Sequence, residues 1–134
     1  MTADLTETAT GGLRREFLNY GHTLGHAIEL VEGYTWRHGD AVSVGLVFAA
    51  ALSRIGFGLD PVVEQRHRVI LGALGLPIGY SADRWDELLG AMRVDKKARG
   101  RTLRFVVLTA LGAPDVVEVT DEGMLRQAFE EVAR

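Results

Sequence analysis

The chain contains no cysteine, and this absence limits the kinds of site that it can build. Disulfide frameworks and zinc sites with thiolate ligands are both excluded, so any metal site must use histidine, aspartate or glutamate side chains. The lack of cysteine also fits a reducing compartment, and we expect the protein to be cytoplasmic.

The chain also lacks an excess of basic residues. The 134 residues include 15 Lys and Arg against 18 Asp and Glu, which gives a formal net charge of −3. Domains that bind DNA or RNA normally carry a strong positive charge, so we expect no nucleic-acid partner. The longest apolar run, residues 41–52, is shorter than the roughly 20 residues that span a bilayer, and residues 1–10 show no signal-peptide pattern. We therefore expect no membrane partner.

Apolar residues recur at spacings of three and four through most of the chain, which predicts a mainly α-helical fold. The predicted helices cover about 13–32, 38–55, 60–74, 82–93 and 120–132. Two short runs of strand-forming residues, 103–108 and 115–119, flank a Gly-Ala-Pro turn and predict one small β-hairpin near the C-terminus. Residues 1–12 are polar and are interpreted as a flexible N-terminal segment, which leaves 13–134 as one helical domain.

Two of the predicted helices have features that bear on packing. The second is apolar nearly all round, which indicates a central position in the core. The first contains Gly21 and Gly25, each of which costs about 1 kcal/mol relative to alanine inside a helix. Such glycines indicate that another backbone or a ligand approaches closely. Elsewhere, Trp36 and Trp85 are interpreted as packing groups and His67 as a surface histidine.

Three of the four histidines lie close together in the sequence. His22 and His26 are four residues apart and share one face of the first predicted helix. The same face carries three more polar side chains: Arg15, Asn19 and Glu29. His38 follows at the start of the next helix, which can fold back beside the first. Two imidazoles from adjacent helices and one carboxylate could hold Zn²⁺ with a position left open for substrate or water.

Structural explanations for these histidines also exist. Histidine pairs four residues apart are often structural, and His-Gly-Asp at a helix start can be simple capping. A metalloprotease is excluded as the source of the pattern, because the residue after His22 is Thr23 and not the general-base glutamate of His-Glu-x-x-His. Lys96 and Lys97 belong to a basic run that is either a solvated linker or a binding group for a phosphate or carboxylate.

A longer motif joins these residues. It reads Arg15-x-x-x-Asn19-Tyr20-Gly21-His22-Thr23-x-Gly25-His26-Ala27-x-Glu29, then His38-Gly39-Asp40-Ala41-Val42-x-x-Gly45, and later Asp95-Lys96-Lys97 before Leu103-Arg104-Phe105-Val106. It closely resembles the C-terminal, mostly helical domain of 3-dehydroquinate synthase, a family of the sugar-phosphate cyclase superfamily. The resemblance begins at about Ala3 and covers nearly the whole chain.

The resemblance implies a function in the shikimate pathway of aromatic amino-acid biosynthesis. The family converts 3-deoxy-arabino-heptulosonate 7-phosphate to 3-dehydroquinate and phosphate, with a divalent metal (Zn or Co) and NAD as cofactors. Other members of the superfamily make aminodehydroquinate, scyllo-inosose or valiolone rings, and a helical metal-binding module without catalysis is a further alternative.

The resemblance also implies roles for individual residues. His22 and His38 would be metal ligands, His26 would be catalytic near the reacting centre, and Glu29 would orient a histidine. The implied substrate-binding residues are Arg15, Asn19, Lys96 and Lys97, with the choice between the two lysines open.

Some parts of the family's machinery have no counterpart in these residues. The family's third zinc ligand is a glutamate upstream of this domain, and the glycine-rich stretch that would cradle the NAD pyrophosphate is not found here. Another family glutamate is displaced: Glu7 lies eight residues before Arg15. From this we expect that the chain works with an N-terminal NAD-binding domain, that it is inactive alone, and that an exposed cleft face favours a homo-oligomer.

Overall fold

The computed structural model describes residues 21–99, 104–109, 113–119 and 121–133, and it excludes the side chains of 94–99 and 104. Its elements are α1 (His22–Val31), α2 (His38–Phe57), α3 (Pro61–Ala73), a 3-10 turn (Ala82–Arg84), α4 (Trp85–Arg99), β1 (Arg104–Leu108), β2 (Pro114–Glu118) and α5 (Glu122–Glu130). The predicted fold class, mainly helical with one small hairpin, is confirmed. The predicted N-terminal segment lies outside the described residues.

Helix α2 is the centre of the fold, as predicted. It packs against α1, α3, α5 and β1, and most of its length is buried. By length and composition alone α2 could cross a membrane, but 61% of its apolar window is buried inside this domain, as in the core helix of a folded domain. The β1–β2 hairpin is antiparallel, with Arg104 opposite Glu118 and Leu108 opposite Pro114, and Ser53 of α2 accepts a hydrogen bond from the Leu108 backbone N–H (2.8 Å).

The prediction of one continuous helix from Leu13 to Glu32 is wrong, because the helix is interrupted at Gly21. This residue has a φ of +83°, in the left-handed region, and α1 begins only at His22. The physical reason is the close approach of α2, since a Cβ atom on Gly21 would lie 2.8 Å from the Leu46 backbone nitrogen. A Cβ on Gly45 would in turn overlap the carbonyl oxygen of Gly21. The predicted close approach at the glycines is therefore confirmed, and the neighbour is a backbone.

Helices α3 and α5 begin at side-chain caps. Asp60 accepts a hydrogen bond from the Val62 backbone N–H (2.9 Å), with Pro61 at the first helical position, as predicted. At α5 the cap is Asp121, which accepts from the Met124 N–H (3.2 Å). Thr120, where the last helix was predicted to start, lies outside the described residues.

Helix α4 is longer than predicted and extends to Arg99 instead of ending near residue 93. The basic run with Lys96 and Lys97 therefore belongs to the last turns of a helix, and the prediction that it forms a linker outside the helices is wrong. The start of α4 lies beside the end of α1, because Arg84 contacts Glu32 (3.1 Å), and α4 then packs along α1. It follows that α4 runs back toward the end of α1 that carries His22.

Candidate metal and substrate site

The structure brings the three clustered histidines of α1 and α2 together. The ring centre of His22 is 5.8 Å from that of His26 and 5.8 Å from that of His38. The His22 and His26 rings stand at 88° to one another, whereas those of His22 and His38 are tilted by 48°. His22 is half-buried, while His26 and His38 are exposed. The cluster therefore lies at a surface that a substrate could reach.

The antiparallel crossing of α1 and α2 explains this arrangement. Gly21, directly before α1, and Gly25 of α1 face Gly45 and Ala41 of α2, and no side chain separates the two backbones at that point. The loop between the helices turns through Gly33 (φ 63°) and Tyr34, whose φ of 62° is unusual for a residue with a side chain. This tight reversal places the first residue of α2, His38, against the side of α1.

Glu29 makes a hydrogen bond to one of the two ring nitrogens of His38. The Nδ1 atom of His38 lies 3.2 Å from Oε2 of Glu29. A carboxylate oxygen accepts hydrogen bonds, so Nδ1 is the donor in this contact, and in the neutral ring Nε2 then carries the lone pair. The Glu29 side chain is 16% exposed and that of His38 is 61% exposed. A half-buried carboxylate thus orients an exposed imidazole whose second nitrogen can bind a ligand.

These donors fit part of a metal site. Two imidazoles on one tetrahedral zinc ion have ring centres about 5 Å apart, since each Zn–N bond is about 2 Å long. The separation of 5.8 Å between His22 and His38 is close to that value. In the part of the chain that the structure describes, no three His, Asp or Glu side chains form a group that could hold an ion. The described residues could therefore supply two ligands of a metal ion, and other groups would fill its remaining coordination positions.

The remaining predicted site residues are only partly described. Arg15 and Asn19, like Glu7, lie outside the described residues. Lys96 and Lys97 lie in the last turns of α4, on the stretch that runs toward the His22 end of α1, and their side chains are not described. The backbone thus brings the Asp-Lys-Lys motif to the same end of the domain as the histidines.

Sequence reasoning missed a polar cluster at the other end of α1. Glu32 accepts hydrogen bonds from the Tyr80 hydroxyl and from Arg84 Nη1, the latter at 3.1 Å. Burial, followed by the Glu32 carboxylate, raises the pKa of Tyr80 well above its ordinary value, so its hydroxyl stays protonated and donates. The partners are 48 and 52 residues apart in sequence, and no local pattern indicates the contact.

A shallow cleft of about 530 Å³ lies next to this cluster. Its lining combines the loop before α2 with the loop after α3, through Thr35, Trp36, Arg37, Asp40, Gly75, Leu76 and Pro77. Trp36 also packs edge-on against Tyr80, with ring centres 5.3 Å apart, and Trp85 is buried against Phe129. Both tryptophans are packing groups, as predicted. His67 is half-buried on α3, with Nδ1 2.8 Å from the carbonyl oxygen of Val63 in the same helix.

The helical architecture of this domain is that of a class of enzymes with known structures, the sugar-phosphate cyclases. Two crystal structures of 2-deoxy-scyllo-inosose synthase match 85% of this chain, with TM-scores of 0.68 and 0.63 at 25% and 23% sequence identity. The first of these contains carbaglucose-6-phosphate, NAD⁺ and Co²⁺. The match covers 34% and 31% of those chains.

Within this class, the chain belongs to the 3-dehydroquinate synthase C-terminal family, whose model matches residues 1–98. It is 56% identical over 133 residues to the 3-dehydroquinate synthase of Arthrobacter sp. (strain FB24) and 51% identical over 133 residues to that of Thermobifida fusca (strain YX). The chain spans about a third of the length of these relatives, 36% and 35% respectively.

Proposed function

We propose that this chain forms the metal- and substrate-binding part of a 3-dehydroquinate synthase, a lyase of the shikimate pathway located in the cytoplasm. The complete enzyme would convert 3-deoxy-arabino-heptulosonate 7-phosphate to 3-dehydroquinate and phosphate. The observation that carries the proposal is the His22–His38 pair with Glu29 on His38, in a domain of this family. The relatives of the same name, at 51% and 56% identity, support this substrate over that of the inosose synthases, at 23% and 25%.

His22 and His38 would hold a divalent metal, with Glu29 fixing the His38 ring. Zinc or cobalt bound there would act as a Lewis acid that polarises the hydroxyl group to be oxidised. The Co²⁺ in the inosose synthase structure supports a divalent ion in this class, and we propose zinc or cobalt for this chain. NAD would be bound mainly by the part of the enzyme that corresponds to the uncovered two-thirds of the relatives.

The other residues of the cluster would bind the substrate and move protons. His26 is exposed and its ring centre lies 5.8 Å from that of His22, so it can reach a molecule bound at the pair and exchange a proton with it. Arg15 and Asn19 would contact the phosphate, for which a guanidinium and an amide are suitable donors. Lys96 or Lys97 would bind the carboxylate side of the substrate.

A chimera tests this proposal directly. The chain would replace the matching segment of the Arthrobacter relative, and phosphate release from 3-deoxy-arabino-heptulosonate 7-phosphate would be measured with NAD and Co²⁺. We expect activity within about tenfold of the parent, since the chain is 56% identical to the relative over the segment that it replaces, and none from this chain alone. A folded chimera that turns over glucose 6-phosphate but not the heptulosonate phosphate would instead favour an inosose synthase, and one that acts on no sugar phosphate would favour a non-catalytic module.

Glu29 offers a test that does not need turnover. Replacing it with alanine should weaken Co²⁺ binding by about 10- to 100-fold, because carboxylates that orient metal-binding histidines contribute effects of this size. Glu29→Gln should lose less, since the amide oxygen can still accept from His38 Nδ1. Titration of Co²⁺ followed by its visible absorption gives the dissociation constant. As a control, Glu130→Ala removes an exposed carboxylate of α5 and should leave binding unchanged, whereas equal affinities for Glu29→Ala and the control would contradict the assignment.

A further inference from the structure

The C-terminal end of α1 has two glutamates with different partners, Glu29 in its last turn and Glu32 directly after it. Glu29 contacts His38, the first residue of α2, while Glu32, three positions later, contacts the segment that leads into α4. The backbone N–H of Tyr34 also donates to the Glu29 carbonyl oxygen (2.8 Å), which closes the turn. The position of Glu29 therefore depends on how this turn is held.

Glu32 is held by two donors that are themselves fixed. Tyr80 is 4% exposed, its backbone N–H donates to the Val132 carbonyl oxygen (3.1 Å), and its ring packs against Trp36. Arg84 donates to Glu32 and is oriented by Glu87, to which Nη2 donates at 2.9 Å. Both donors come from the segment between α3 and α4, and Arg84 Nη2 also lies 3.5 Å from the carbonyl oxygen of Val31, the last residue of α1.

The loop from α1 to α2 contacts one of these donors, Tyr80. It is short, running from Glu32 to Arg37, and Trp36 packs on Tyr80 within it. A loop fixed at Glu32 and at Trp36 leaves little freedom for the residue that follows it, His38. The Glu32 contact therefore restrains both partners of the Glu29–His38 pair, one through the last turn of α1 and the other through the loop.

We infer that Glu32 is a positioning residue for the candidate metal site. Held by Tyr80 and Arg84, it keeps the Glu29 carboxylate within hydrogen-bonding distance of the His38 imidazole. This deepens the proposed function, because the role of His38 as a ligand belongs to that proposal. Glu32 does not touch the ion or the substrate. It sets the ring orientation and the tautomer with which His38 meets them.

The test uses NMR on the metal-free chain at about pH 8, where unperturbed imidazoles are neutral. In the unaltered chain, His38 should show the tautomer with hydrogen on Nδ1. Glu32→Gln keeps the size of the side chain but removes its charge, and we expect the His38 nitrogen signals to shift toward the average of both tautomers. Tyr80→Phe removes one of the two donors and should give a smaller shift in the same direction.

The matched control is Glu64→Gln. Glu64 is also a carboxylate held by two donors, Arg54 (2.5 Å) and Arg68 (3.1 Å), and it is 5% exposed, but it joins α3 to α2 and does not touch α1. This variant should lower the melting temperature without changing the His38 signals. If Glu32→Gln leaves the His38 signals as Glu64→Gln does, the inference is overturned.

Metal affinity gives a second readout. Glu32→Gln should weaken Co²⁺ binding about tenfold. In a Glu29→Gln background it should have no further effect on Co²⁺ affinity, while its effect on the melting temperature should persist, because only the first effect acts through Glu29. Additive losses of affinity would overturn the inference. The NMR experiment on the metal-free chain tests the role of Glu32 without metal or turnover. The activity of the chimera tests the proposed function, so the two can fail independently.

Discussion

Replacing His38 with alanine in the active chimera should reduce kcat/KM for phosphate release by about a thousandfold or more, which corresponds to about 4 kcal/mol of lost transition-state stabilisation. The expected size reflects the loss of a ligand whose ring is held by Glu29 and lies 5.8 Å from that of His22. His22→Ala should have an effect of the same order. Both variants should also lose bound Co²⁺, as measured by metal analysis after gel filtration.

His67 provides the matched control for this experiment. It is a half-buried histidine on α3, with Nδ1 2.8 Å from the Val63 carbonyl oxygen, and it belongs to no part of the candidate site. His67→Ala should keep kcat/KM within about threefold of the chimera, a change of less than about 1 kcal/mol in the activation free energy. Retention of full Co²⁺ stoichiometry and activity by His38→Ala would remove the basis for the proposed metal site.

Gly45→Ala should destabilise the domain by about 3 kcal/mol, at the upper end of typical overpacking effects. A Cβ at this position would overlap the Gly21 carbonyl oxygen and lie 2.9 Å from its carbonyl carbon, and neither backbone atom can turn away as a side chain would. The helices must separate to accommodate the methyl group, which also moves His22 relative to His38. Urea denaturation followed by circular dichroism measures the loss.

The control for this substitution is Gly90→Ala on α4. Outside the helix's own nearby backbone, no atom of the described residues lies within 4 Å of the position that a Cβ on Gly90 would take, so alanine should fit there and stabilise the helix by up to about 1 kcal/mol. The two variants add the same methyl group to a helical glycine and should shift the urea midpoint in opposite directions. Midpoints that agree would show that the α1–α2 contact is looser than the structure indicates.

Much of the fold was predictable because its signals are local. The cap and proline at Asp60-Pro61 mark the start of α3, and the change from helical to strand-forming residues marks the hairpin. The break at Gly21 was not predictable from periodicity, since apolar residues continue at helical spacing on both sides of it. What forces the left-handed conformation there is the backbone of α2, a contact about 25 residues away along the chain.

The candidate site was predictable to a similar extent. The motif places His22, His26 and Glu29 on one helix face, and the structure adds the contact of Glu29 with His38. The extension of α4 past residue 93 was missed because residues 95–99 are almost all charged and carry no apolar periodicity. The Glu32 contacts were missed because Tyr80 and Arg84 are remote in sequence, and only tertiary packing brings them to α1.

The antiparallel pair of α1 and α2 has a consequence for the order of folding. His22 and His38 are 16 positions apart and are joined by a loop of six residues, so the contacts that bring their rings together are among the more local in the domain. Local contacts cost little chain entropy and form early. During synthesis the two imidazoles leave the ribosome well before the lysines of α4, and this half of the site can assemble while the rest of the domain is still being made.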